Sequence, residues 1–97
     1  MLTLPIKKKW FDMILSGEKK EEYREIKPYY QSRLENLFRF QTPEYQEEII
    51  FRNGYSGSSP QFKVLCSLSI GYGDPKWGAE PNIKYFVLTI HKVKQSN

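Results

Sequence analysis

The sequence predicts a small α+β domain, mostly β, in which a curled sheet or barrel of about five to six strands carries two short helices. Residues 61–71 and 83–93 alternate apolar and polar side chains, as strands with one buried face do. Residues 10–15 and 28–38 instead carry apolar side chains at helical spacing. Because the chain has no internal repeat, linker or low-complexity segment, residues 1–97 are expected to form a single domain.

The N-terminal part of the chain is predicted to be a strand followed by a short helix. Residues 2–6 alternate weakly around Pro5, which suits a short strand at the edge of a sheet. The helix that follows has an apolar stripe formed by Phe11, Ile14 and Leu15. Gly17 is placed to end this helix with a positive φ, since glycine adopts that conformation without steric cost.

A charged strand and a second helix are predicted next. Residues 19–27 are read as an extended strand, and Pro28 is favourable as the first residue of a helix. The apolar stripe of that helix consists of Tyr30, Leu34, Leu37 and Phe38. Residues 39–46 are expected to form a connecting loop.

The second half of the chain is predicted to be three strands with two loops. A strand over residues 48–52 ends at the turn dipeptide Asn53-Gly54, and a flexible loop follows. The next strand is expected to bury one face, formed by Phe62, Val64, Cys66, Leu68 and Ile70. A loop rich in glycine and proline over residues 71–81 then leads to the last strand, and the tail from Lys94 is expected to fray.

Composition narrows the classes of function. Fifteen Lys and Arg against eleven Asp and Glu give a net charge of +4, which favours anionic partners. Seven Tyr, six Phe and two Trp exceed what a core of this size needs, so some rings are available for stacking. No apolar run is long enough to span a membrane and no signal peptide is recognised, so a cytoplasmic protein is expected. The sequence has one cysteine, Cys66, and one histidine, His91. We therefore predict no intramolecular disulfide, no metal site and no cofactor.

The segment from Gly17 to Arg24 concentrates the chemistry, with Gly, Lys, Glu and Arg at fixed offsets. Strict alternation puts Glu22 and Arg24 on one face of the strand and Lys19 on the other. The three side chains can therefore converge only if Lys19 precedes the regular strand, in the turn after Gly17. We predict that arrangement.

This pattern, Gly17-x-Lys19-x-x-Glu22-x-Arg24 after a strand and a short helix with Trp and Phe, resembles the ASCH domain, a relative of PUA-like β-barrels. The resemblance extends to Arg52-Asn53-Gly54-Tyr55 and to Trp77-Gly78 before the final strand, and is greatest to the compact bacterial and phage versions. It implies a small PUA-like barrel with a cleft beside the motif.

The resemblance also implies functions. The family is thought to bind RNA or modified nucleotides, some bacterial members are amidohydrolases that deacetylate acetylcytidine through the motif lysine, and one has been described as a ribonuclease. Lys19 corresponds to that lysine, but this chain has Glu22 where the amidohydrolases have threonine. The partner carboxylate of those enzymes corresponds to either Glu80 or Asp74, and the sequence leaves both open.

Candidate site residues follow from the motif and its flanks. The expected ligand-binding set is Lys7, Lys9, Lys19, Glu22, Arg24, Arg52, Tyr55 and Trp77. Lys19 could be a catalytic group with Glu22 as its acid–base partner, a ligand contact, or a solvated surface residue. Tyr55 and Trp77 could stack on bases or fill the barrel instead, while Tyr30 and Trp10 are expected in the core.

The sequence is compatible with three functions. The first is binding of RNA or a modified nucleotide, without a metal or membrane partner. The second is hydrolysis of a modified nucleoside or RNA with Lys19 as the reactive group. The third is a protein-interaction module whose charged cleft no longer has a ligand.

Overall fold

The computed structural model describes residues 1–39 and 44–94 of the chain. The α+β, mostly β prediction is confirmed, since 42% of these residues lie in strands and 24% in helices. The elements in chain order are β1 (Thr3–Pro5), α1 (Lys8–Leu15), β2 (Glu21–Glu25), α2 (Pro28–Phe38), β3 (Gln46–Arg52), β4 (Gln61–Tyr72), a short 3₁₀ helix (Pro75–Trp77) and β5 (Lys84–Lys94).

The described strands form one five-stranded sheet in the order β1-β3-β4-β5-β2, curled into a half-barrel. β3, β4 and β5 form an antiparallel meander at its centre, and β2 adds antiparallel to β5. β1 pairs in parallel with β3. The two N-terminal strands therefore occupy the two opposite edges of the sheet, and the motif segment runs along one of them.

The core lies between one face of the sheet and the two helices. Both helices turn apolar side chains inward, Phe11 and Ile14 from α1 and Leu34 and Phe38 from α2. From the sheet the same face supplies Leu4, Ile49, Phe51, Phe62, Val64, Cys66, Phe86 and Leu88. In β2, Glu22 lies opposite Leu88 and Arg24 opposite Phe86, so both charged residues point to the core side of the sheet.

Local predictions are confirmed in most places. Gly17 has φ of +87° where α1 ends, and Pro28 is the first residue of α2. The prediction of a buried side chain is wrong for Ile70, which is 58% exposed. Its partner on β5, Phe86, is buried. The core therefore covers Phe86 near the start of β5 but not Ile70 near the end of β4.

Several predicted boundaries shift by one or two residues. β3 begins at Gln46, two residues earlier than expected, because its pairing with β4 extends to Ser67. Part of the predicted loop over 39–46 and the tail beyond Lys94 lie outside the described residues. Among the helices that the structure describes, none is long and apolar enough to cross a membrane.

Candidate functional site

Three charged side chains of the motif meet at the β2 edge of the sheet. Lys19 is fully buried, while Glu22 and Arg24 keep only 6% and 9% of their surface exposed. The Lys19 Nζ lies 3.0 Å from Glu22 Oε1, and Glu22 Oε2 lies 2.6 Å from Arg24 Nη2. One carboxylate thus bridges two buried cations, and this Lys19–Glu22–Arg24 group carries a formal charge of +1.

The turn after α1 brings Lys19 to the same side as Glu22. The Lys19 backbone N–H donates a hydrogen bond of 2.9 Å to Met13 O, and β2 begins only at Glu21. Lys19 therefore precedes the strand, and alternation does not fix its direction. Its Nζ also donates to the Glu21 carbonyl, so the side chain folds back over the first residue of β2.

Two aromatic rings complete the surroundings of Lys19. Its Nζ lies 5.3 Å from the centre of the Trp10 ring and 4.9 Å from that of Tyr23. Burial lowers the pKa of Lys19 from its ordinary value, and the negative charge of Glu22 opposes that change. Ring faces also attract a cation, so the pocket partly compensates for the lost hydration.

The loop from Gly73 to Ala79 packs on both of these rings. A methyl group at Gly78 would come within 2.9 Å of the Trp10 ring, and one at Gly73 within 2.6 Å of the Tyr23 ring. The Asp74 backbone N–H also donates to Tyr23 Oη at 2.8 Å. Burial raises the pKa of the Tyr23 phenol, whose hydroxyl donates to the Glu21 carboxylate. The rings that surround Lys19 are thus held from outside by this loop.

Arg24 connects the two edges of the sheet. Its Nη2 donates to the Pro5 carbonyl of β1 at 2.8 Å, and its Nη1 is 3.4 Å from the Tyr30 hydroxyl on α2. A cleft of about 420 Å³ opens beside it, which we call the Arg24 cleft. Its lining residues are Pro5, Ile6, Lys7, Arg24, Tyr30, Asn53, Gly54 and Tyr55.

A second, smaller cavity adjoins this cleft. It measures about 220 Å³ and shares Pro5, Ile6, Lys7 and Arg24 with the larger one. Trp10 and Glu22 complete its lining. The Arg24 cleft therefore adjoins a cavity that is lined by two of the three buried charged residues, Glu22 and Arg24.

The Asn53-Gly54 turn forms one wall of the Arg24 cleft. Asn53 Nδ2 donates to the Ile6 carbonyl at 3.0 Å, which attaches the turn to the segment between β1 and α1. Gly54 has φ of +127°, and a Cβ there would lie 2.4 Å from Ser59 Oγ, so only glycine fits. This turn places Tyr55 at the mouth of the cleft, with 91% of its surface exposed.

Some of the predicted site residues meet at the cleft and others do not. Lys7, Arg24 and Tyr55 line it, and Glu22 lines the adjoining cavity. Lys9 is exposed and lies over the Trp10 ring, with Nζ 4.6 Å from its centre. The remaining three predicted residues, which line neither cavity, are Lys19, Arg52 and Trp77.

Those three have other contacts. Lys19 lies behind Glu22 without exposed surface. Arg52 donates from Nε to Gln61 Oε1 at 2.8 Å, so its side chain pairs with the neighbouring strand. Trp77 lies in the Gly73–Ala79 loop beneath Lys76, whose Nζ is 4.9 Å from the ring centre.

Sequence reasoning missed two contributors to the cleft. The apolar stripe of α2 predicts Tyr30 in the core, and it packs there in part, but its ring and hydroxyl also face Arg24. The dipeptide Asn53-Gly54 predicts only a turn, yet the Asn53 amide also fixes the cleft wall. An amphipathic tyrosine near the start of a helix was the available signal for Tyr30, since its polar tip needs a partner.

The two carboxylates that the resemblance offers as partners of Lys19 are Asp74 and Glu80, and within the described residues neither forms an ion pair with it. Asp74 pairs with Lys76, at 3.7 Å. Glu80 is exposed, and its backbone N–H donates to the Tyr85 hydroxyl. In residues 1–39 and 44–94, no group of three or more His, Cys, Asp or Glu side chains is arranged to hold a metal ion.

Comparisons of the chain with known protein families, curated proteins and solved structures found no significant match. The resemblance to the ASCH domain therefore stays a prediction that rests on the motif and on its order along the chain.

Proposed function

We propose that this protein binds RNA or a modified nucleotide in the Arg24 cleft. The observation that carries the proposal is the excess positive charge at a cleft walled by tyrosines. Lys19 and Arg24 share one carboxylate, which leaves the group at +1, and Lys7 adds a further cation at the cleft. A cleft with this charge attracts phosphate, and tyrosine rings offer surfaces on which bases stack.

Arg24 is the expected recognition residue. Its guanidinium is held by Glu22, the Pro5 carbonyl and the Tyr30 hydroxyl, so little side-chain entropy remains to be lost on binding. A planar guanidinium held in this way suits recognition of a phosphate or a base edge. Lys19 acts in this proposal through Glu22: it fixes the carboxylate that orients Arg24 and does not itself touch the ligand.

The test is a titration of short single-stranded RNA and of nucleotides, followed by fluorescence anisotropy over a range of salt concentrations. Two exposed residues can be changed without disturbing the core, in the variants Lys7→Gln and Tyr55→Ala. Loss of one stacking ring should weaken binding about 5- to 150-fold, from about 1–3 kcal/mol per base. Loss of one phosphate contact should reduce the slope of log K against log salt by about 1.

Matched controls are available among exposed residues that do not line the cleft. Lys8→Gln removes an exposed lysine next to Lys7 that pairs with Asp12, and Tyr72→Ala removes an exposed tyrosine that does not line the cleft. Both controls should bind like the unmodified chain. Absence of binding, or an equal loss in the cleft and control variants, would contradict the proposal.

A second candidate function is hydrolysis of a modified nucleoside or of RNA with Lys19 as the reactive group. Burial lowers the pKa of Lys19, which brings the neutral amine closer to neutral pH, and Glu22 is in place to exchange a proton with it. Because Lys19 has no exposed surface, a substrate reaches it only if neighbouring groups move aside.

Product release from acetylcytidine or from a short RNA tests this second function. Turnover that disappears in Lys19→Ala, while circular dichroism shows a folded protein, would support it. The same rate of product release in this variant and in the unmodified chain would rule it out.

A further inference from the structure

We infer that the ligand is a single strand of at least three nucleotides that extends past the cleft onto the start of α2, rather than a free mononucleotide. This inference rests on the proposed function and specifies its class of ligand. The surface concerned, which we call the tyrosine track, consists of Tyr55, Tyr30 and Tyr29 with the cations Lys7, Arg24, Lys27 and Arg33.

The first argument is the succession of rings along this surface. Tyr55 stands at the mouth of the Arg24 cleft and Tyr30 lines its wall. Tyr29 follows directly, with its ring centre 5.0 Å from that of Tyr30 in an edge-to-face arrangement, and it is 52% exposed. One nucleotide carries one base, whereas three rings offer stacking surfaces to successive bases of a strand.

The second argument is the distribution of cations beside these rings. The Arg33 guanidinium carbon lies 3.6 Å from the centre of the Tyr29 ring, and the guanidinium also donates to the Tyr29 carbonyl. Lys27 Nζ lies 5.5 Å from the centre of the Tyr30 ring, where Arg24 is also close. Each ring of α2 therefore has a cation next to it, as a strand with one phosphate per base requires.

The third argument is that Lys7, Lys27 and Arg33, unlike Arg24, are not closely paired with a carboxylate. Among the residues that the structure describes, Lys7 and Arg33 have no carboxylate within 4.0 Å, and Lys27 reaches Glu25 only at that limit. An ion pair at 4.0 Å between exposed groups is weak. Their charges remain available to the phosphates of a strand that passes over the start of α2.

The experiment is a length series on the full chain, measured by calorimetry or by competition. The probes are uridine monophosphate and the di-, tri- and pentanucleotides of uridine. Affinity should rise at least about tenfold from the mononucleotide to the trinucleotide, because each added base gains a ring on which to stack.

Variants then locate the added contacts. Tyr29→Ala and Arg33→Gln should each weaken trinucleotide binding about fivefold or more. Both should leave mononucleotide binding unchanged, because a mononucleotide in the Arg24 cleft would not extend to Tyr29 or Arg33. The matched controls are Tyr72→Ala and Lys84→Gln. Tyr72 is also an exposed tyrosine, and Lys84 Nζ lies 5.8 Å from its ring centre. These two variants should change neither trinucleotide nor mononucleotide binding.

The outcomes separate this inference from the proposed function. A mononucleotide that binds as tightly as the trinucleotide would overturn the track while supporting the cleft. An equal loss in the Tyr29 and Tyr72 variants would also overturn the track, because the contact would then not be specific to α2. If no probe binds, both the track and the proposed function are wrong.

Discussion

Replacement of Glu22 by glutamine is the sharpest test of the buried charge group. Glutamine has nearly the same shape as glutamate, so the change removes the charge and little else. Lys19 and Arg24 would then be two buried cations without an anion. In the unmodified chain the Glu22 carboxylate lies 3.0 Å from Lys19 Nζ and 2.6 Å from Arg24 Nη2. Removal of one partner from a buried ion pair costs about 3–5 kcal/mol, and here all three groups are at least nine-tenths buried.

A loss of this size is large for a domain of 97 residues. Folded domains of this class have about 5–15 kcal/mol of unfolding free energy in total. Each 1 kcal/mol lowers the melting temperature by about 4–8 °C at this length, so a decrease of at least about 12 °C is expected. Urea denaturation followed by circular dichroism gives the free energy, and a thermal scan gives the melting temperature.

The pH dependence of the Glu22→Gln variant provides an independent check. Lys19 has a lowered pKa in the folded chain because it is buried, and removal of the Glu22 charge lowers it further. Between that folded value and the ordinary lysine value of 10.5, the unfolded chain binds more protons than the folded one. Stability therefore rises with pH across this window. Because the folded variant loses its Lys19 proton at a lower pH than the folded unmodified chain, the stability deficit of the variant should shrink as the pH rises toward 10.5.

The Lys8–Asp12 pair on α1 supplies the matched control. Its atoms are also 2.6 Å apart, but its side chains are 77% and 53% exposed. Asp12→Asn makes the same exchange of carboxylate for amide and should cost no more than about 1 kcal/mol, without the pH response. If Glu22→Gln loses no more stability than Asp12→Asn, the argument that burial makes this charge group essential is wrong.

Two further predictions concern packing. Gly73→Ala should lower the free energy of unfolding by about 1–3 kcal/mol, because the new methyl group would lie 2.6 Å from Ala79 and from the Tyr23 ring. The control is Gly57→Ala, which has no atom within 4 Å of the added methyl group and should cost less than half as much. Urea denaturation measures both. Cys66 is fully buried and burial raises its pKa to about 12, so iodoacetamide should label it only as fast as the chain unfolds; rapid labelling under native conditions would contradict its burial.

The sequence was sufficient for the features that depend on local pattern. Alternation located β4 and β5, helical spacing located α1 and α2, and Gly17 marked the end of α1. The convergence of Lys19 with Glu22 and Arg24 could also be predicted, because alternation and the turn after Gly17 together leave one arrangement in which they meet. Each of these inferences needs only residues close in sequence.

What depends on strand register and on how loops pack on the sheet could not be predicted. The partner of Arg52 is Gln61, which faces it only because β3 and β4 pair in that register. The exposure of Ile70 depends on where the core ends on the sheet, which period-two alternation cannot indicate. The position of Trp77 depends on the Gly73–Ala79 loop, which packs on Trp10 and Tyr23. The sequence does not indicate which side chains the glycines of this loop approach.

The order of the strands has a consequence for the path of folding. β3, β4 and β5 are consecutive in the chain, and each pairs with the next, so their meander needs less loop closure than the pairing of β1 or β2. β2 instead pairs with β5, with Glu21 opposite Thr89, and β1 pairs with β3, with Thr3 opposite Ile50. The segment that carries Lys19, Glu22 and Arg24 is synthesised well before β5, yet β2 has no strand to pair with until β5 has been made. We therefore expect the charged cleft to be the last part of the molecule to assemble.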